Sequence, residues 1–65
     1  MKSFFFVVTD HGAKCKVTMA SETGGRIGWT EPPIERSVDA IMLSMKALLE
    51  ENIKRGLIDE SYTTS

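Results

Sequence analysis

Sixty-five residues, 42% apolar and 26% charged, make an ordinary globular composition, and a chain of this size forms one domain that buries roughly 60% of the surface it exposes when unfolded. A single cysteine, Cys15, excludes an internal disulfide, and a single histidine, His11, leaves no zinc-type ligand set within one chain. No metal or cofactor is therefore expected, and a core this small is expected to gain stability from self-association or from a partner, since ordering costs about 1.5 kcal/mol per residue.

The net charge is −1. Lys2, Lys14, Lys16 and Arg26 dominate the first half of the chain, while acids outnumber bases in the second. Such asymmetry permits a basic face without demanding nucleic acid. No apolar run approaches the ~18 residues of a membrane span, so a membrane role is not expected. The opening "MKSFFFVVTD" carries an apolar run of five residues, short of the ~7 that a signal-peptide core needs. With one unpaired cysteine the chain suits a reducing cytoplasm.

The first element is "SFFFVVT", β-branched and aromatic without a helical period, which predicts a strand. "KCKVTMA" alternates, with Cys15, Val17 and Met19 on one face and Lys14, Lys16 and Thr18 on the other, the pattern of a half-buried strand. The intervening "DHGA" predicts a tight hairpin with His11 and Gly12 at its centre. That register sets Val8 against Cys15, Phe6 against Val17 and Phe4 against Met19. "SETGG" is turn chemistry, and "RIGWT" predicts a short third strand with Ile27 and Trp29 on one side and Arg26, Gly28 and Thr30 on the other.

"EPP" then ends the sheet, because proline cannot serve a central ladder, and Pro33 suits a first helical turn. Ile34, Val38, Ile41, Met42, Met45, Leu48, Leu49 and Ile53 fall in one arc of a helix that Gly56 stops. Glu50 with Lys54 and Glu51 with Arg55 are favourably ordered i, i+4 pairs. The architecture expected is α+β: a three-stranded antiparallel meander with one C-terminal helix on one face, βββα, spanning 1–56. Residues 57–65 form a short tail, partly flexible, with Leu57 and Ile58 able to dock on the core.

In "AIMLSMKALLE" the apolar residues are too crowded to face one way. Leu43 points away from the sheet, flanked by Ala40 and Ala47. If Phe4, Phe6 and Val8 face the helix, Phe5 and Val7 face outward among Lys14, Lys16 and Arg26. Both outer faces thus carry apolar side chains that a monomer does not need.

Nucleophilic catalysis wants a nucleophile, a base and a group that orients the base. Cys15 lies on the inward face and His11 in the hairpin tip, so the two are not expected to meet. "TGGRIG" precedes a strand rather than a helix, so it is not a phosphate loop. No catalytic residues are expected, and the chain reads as non-enzymatic. Lys14, Lys16 and Arg26 beside Phe5 offer the basic and aromatic pairing of a nucleic-acid face. The ordinary reading of the same residues is that the lysine stems cover a second apolar patch. Apolar residues on both faces, with Leu43 and four methionines, point more strongly to association surfaces, namely Phe5 and Val7 on the sheet and Ala40, Leu43 and Ala47 on the helix.

Three strands followed by "SVDAIMLSMKALLEENIKRG" resemble, in element order and helix pattern, the HicB-type antitoxins, small partners of RNA-cleaving toxins. "WTEPPIERS" stands where that family shows a glycine and threonine pattern before the helix, and no functional residue is carried over. The function expected is that of a small regulatory or inhibitor protein of bacterial or phage type, a homodimer and/or the ligand of a larger protein. The alternatives are a nucleic-acid-binding module using the basic sheet face or, as the resemblance implies, a HicB-like antitoxin.

Overall fold

The computed structural model describes residues 3–58. Strands β1 (Phe4–His11), β2 (Lys14–Ser21), β3 (Arg26–Trp29) and β4 (Ile34–Glu35) precede a helix, α1 (Val38–Lys54). The sheet is antiparallel in the order β1-β2-β3, and the helix covers one face, an α+β domain with the meander and C-terminal helix read from the sequence. No helix among the described residues is long and apolar enough to cross a membrane.

β2 is central because it satisfies a partner on each side. β1 pairs with it from end to end. On its other side, Thr18, Met19 and Ala20 pair with β3 while Lys14 and Cys15 pair with β4. Between these, Val17 exchanges bonds with Thr30, donating its N–H to Thr30 Oγ1 at 3.1 Å and accepting the Thr30 N–H at 2.9 Å. The hydroxyl thus continues the ladder where the backbone leaves it. The peptide bond between Glu31 and Pro32 is cis.

The first hairpin turns on Gly12 and Ala13 rather than on His11 and Gly12, since His11 is opposite Lys14. Gly12 has φ +72° and, among the described residues, none other than glycine has a positive φ, which is the sign pattern of a II′ turn with glycine at its first central position. Val8 therefore faces Val17, Phe6 faces Met19 and Phe4 faces Ser21. The expected register is corrected by two residues, a displacement that leaves every side chain on the expected face. In the second turn the N–H of Gly24 donates to Ser21 O at 2.9 Å, and Gly24 takes φ +94°. This is a type I turn closed by a left-handed glycine.

The helix starts later than Pro33 suggested. Ser37, with φ −141° and ψ 152°, caps it, its Oγ accepting the Ala40 N–H at 3.1 Å. Ile34 is consequently a strand residue, backing Cys15 rather than lying on the helix. At the other end Gly56 (φ +77°) reverses the chain, its N–H donating to Ile53 O and that of Leu57 to Asn52 O, both at 3.0 Å. This Schellman arrangement satisfies two terminal carbonyls. It also delivers Ile58 into the core, where it is 4% exposed. The rest of the tail expected to fray, 59–65, lies outside the described residues.

The core cluster joins Val17, Met19, Leu48 and Ile58, with Phe4, Phe6, Ile27, Ile34, Ile41, Met45, Leu49 and Ile53 packed around it. Phe4 and Phe6 meet edge to face, with centroids 6.0 Å apart at 87°. The helix packs chiefly on β2, β3 and β4. That offset leaves Val8 of β1 46% exposed, along with Val38 (74%) and Met42 (63%), two residues that periodicity assigned to the sheet-facing arc.

Candidate functional site

The face of the sheet away from the helix is built by cross-strand rows, since residues opposite one another in an antiparallel ladder share a face. One row is Val7, Thr18 and Trp29; the next is Phe5, Ala20 and Arg26. On the other flank Thr9 stands beside Lys16, then His11 beside Lys14 and Glu35. The expected grouping of Phe5 and Val7 with Lys14, Lys16 and Arg26 is therefore the one the register produces. The middle of this face is covered, Thr18 and Ala20 being buried, while Phe5 (47%), Val7 (44%) and Trp29 (43%) stand around them. A shallow hollow of about 360 Å³ lies among Phe5, Val7, Lys16, Ala20 and Arg26.

Trp29 reaches this face through a β-bulge. Gly28 pairs with Met19 and Arg26 with Ala20, so Ile27 has no residue opposite. The extra residue resets the alternation. Ile27 packs on the core and Gly28 lies beneath the helix, where a Cβ would sit 3.0 Å from Leu48 Cδ2. The sequence reading, with Ile27 and Trp29 together and Arg26 with Gly28, is corrected here. Arg26 and Trp29 share the outer face, with the Arg26 Cζ 5.3 Å and the Lys16 Nζ 5.9 Å from the Trp29 ring centroid. Both distances are within cation–π range. The signal that could have found this was Gly28: a glycine inside a strand often marks a close approach of another element. Its neighbour Trp29 then had to face the other way.

The charge on this face is mixed. Glu35 is the cross-strand neighbour of Lys14, and its carboxylate accepts from Ser37 Oγ at 3.3 Å. Glu31 accepts the Trp29 indole N–H at 3.2 Å. Lys16 and Arg26 thus remain the cations at the centre of the surface, with carboxylates at its edge. Arg36 is occupied at the hairpin tip, 3.4 Å from Asp10 Oδ1 and donating to Gly12 O at 3.1 Å.

The helix candidates occupy the opposite side of the domain. Leu43 is 69% exposed and Ala47 exposed, with Ala40 half-buried. The two candidate surfaces are thus separate, on the two outer sides of a two-layer structure. Cys15 and His11 are also kept apart by the pleat: Cys15 is 1% exposed on the helix side with its Sγ 3.7 Å from Glu35 O, while His11 is exposed on the other side. A second hollow, about 290 Å³, lies between β3 and the helix and is lined by Ile27, Trp29, Glu31, Leu48, Glu51 and Arg55.

Compared with protein-family models, with curated proteins and with solved structures, the chain finds no match. The resemblance to HicB-type antitoxins therefore rests on element order and helix pattern alone.

Proposed function

We propose that this chain is a small non-enzymatic binding module, a regulatory or inhibitor protein of bacterial or phage type acting in the cytoplasm by occupying the surface of a larger protein. The observation that carries this reading is the outer sheet face. Phe5, Val7 and Trp29 stand nearly half exposed around a buried centre. They stand on paired strands, with Lys16 and Arg26 over the indole ring. An aromatic and aliphatic centre with arginine beside it is the composition of protein interfaces. The partner that fits is a protein surface with an apolar patch and carboxylates at its margin. Capture from the source cell with Phe5→Lys and Trp29→Ala variants tests this. One protein should be retained by wild type and by Leu43→Asp and lost by both sheet variants; retention by the sheet variants would refute the assignment.

A second reading, binding of single-stranded nucleic acid, is favoured by one observation: two cations against an exposed tryptophan, the pairing that stacks bases and contacts phosphate. Trp29 is the sole tryptophan, so its fluorescence reports directly on an oligonucleotide. Quenching that weakens in Lys14→Ala and Lys16→Ala, each with a salt slope smaller by about 1, would support this reading over the first. The mixed charge of the face argues against it.

A further inference from the structure

We infer that the flank of α1 turned towards β1 is a dimerisation surface, on which the helix packs antiparallel against α1 of a second copy about a two-fold axis at Met42 and Leu43. At about 100° per residue, Val38, Met42, Leu49 and Ile53 form one flank of the helix. The opposite flank, with Glu51 and Arg55, lines the hollow against β3, so the apolar flank is turned towards β1. There the helix stops short of the strand. Val8, which is on the helix side of the sheet because it pairs with buried Val17, is exposed, as are Val38 and Met42. Val8 and Val38 also share one end of the domain, since β4, just ahead of the helix, pairs with Cys15. Three exposed apolar side chains therefore border one uncovered strip.

The occupant follows from the order of charges along the helix. Asp39 and Lys46 are both exposed and lie almost in line beside this flank, about 10 Å apart along the axis. That is too far for them to pair with each other, and neither side chain has a partner among the described residues. Met42 and Leu43 lie midway between them. An antiparallel second copy, related by a two-fold axis at that midpoint, sets Asp39 of each helix beside Lys46 of the other, Met42 beside Met42, and Val38 against Met45 and Leu49. Acid meets base twice and apolar meets apolar, so the complement of this surface is the surface itself. A parallel pair would stack Asp39 on Asp39 and Lys46 on Lys46, which like-charge repulsion disfavours. The ion pairs close the outer side of the contact, with Val8 on its sheet side. Such a contact is isologous and closes on itself. It leaves Phe5, Val7 and Trp29 uncovered on the far face of the sheet, so it stands independently of the function proposed above.

Charge reversal tests this, read as solution mass by light scattering across a concentration series. Wild type should have twice the 7.2 kDa chain mass. Asp39→Lys, Lys46→Asp and Met42→Asp should each have the mass of one chain at concentrations where wild type is paired, with unchanged far-UV circular dichroism. An equimolar mixture of Asp39→Lys with Lys46→Asp should recover the doubled mass, because each variant then supplies the charge that the other lacks. That recovery also shows that both variants fold. A wild-type dimer that dissociates more readily as sodium chloride is raised supports the same pairing without any variant. A wild-type monomer at every concentration would overturn the inference, as would a dimer that both charge variants retain or a mixture that stays monomeric.

Discussion

Gly28→Ala is the sharpest test of how the sheet and helix meet. A Cβ at this position lies 3.0 Å from Leu48 Cδ2 and 3.2 Å from Asn52 Nδ2, against an optimum near 3.5–4.0 Å for carbon pairs. Neither neighbour can move aside easily. Leu48 is 7% and Asn52 1% exposed, and the Asn52 amide is tethered, donating to Leu48 O at 2.8 Å with Met19 Sδ at 3.5 Å. Overpacking of this kind costs about 1–3 kcal/mol. Alanine recovers part of that, since it stiffens the unfolded chain by about 0.4–1 kcal/mol. The net expectation is a loss of about 1–2 kcal/mol, or roughly 7–15 °C in Tm for a domain of this size. Thermal and urea unfolding of wild type, Gly28→Ala, Leu48→Val and the double variant measure it, because valine removes the clashing Cδ2. The cost of Gly28→Ala should shrink in the Leu48→Val background, giving a coupling energy between the two sites. An equal cost in both backgrounds, or a neutral Gly28→Ala, would refute this account of the interface.

Three further outcomes follow from the packing. Asn52 has a buried Oδ1 with no hydrogen-bond partner among the described residues, so Asn52→Ala removes an unpaired acceptor worth about 1–3 kcal/mol of penalty along with its packing. Its unfolding free energy from urea titration should lie within about 1 kcal/mol of wild type, whereas truncation of a buried leucine to alanine costs about 2–5 kcal/mol; an Asn52→Ala loss in that higher range would mean that the amide supports the core. Ser37→Ala should cost about 1 kcal/mol by removing the helix cap, and Ser37→Asp should restore it; equal melting temperatures for all three proteins would contradict the capping role of Ser37 Oγ. Cys15 is 1% exposed, so its reaction with a thiol reagent should proceed at the rate of opening and accelerate with urea. Immediate labelling in native buffer would show that the thiol is accessible without opening.

The faces of β2 were legible in the sequence because a strand alternates with period two: Cys15, Val17 and Met19 had to point together, and a two-residue error in the hairpin could not disturb that. The helix was legible for the same kind of reason, its apolar period and Gly56 stop being local properties. The start of the helix was harder to see. Pro33 tolerates a first helical turn, but Ile34 gains more by covering Cys15 on the open side of β2, and Ser37 then offers a cap three residues later. The inward placement expected of Val38 and Met42 failed because an arc of apolar residues states which flank of a helix is sticky, whereas its burial depends on where the helix crosses the sheet.

What the sequence by itself determined about this protein is the three strands of the meander and the helix, their order and the sidedness of β1 and β2, with the grouping of Phe5 and Val7 among Lys14, Lys16 and Arg26. Each of these depends on periodicity and turn chemistry within a few residues. Only the tertiary structure decided the bulge at Ile27, the fourth strand and the position of the helix over β2, β3 and β4. These arise from competition among distant segments for the same backbone edge and the same volume: β3 must bring Gly28 beneath Leu48, and adding one residue to do so turns Trp29 outward onto Arg26 and Lys16.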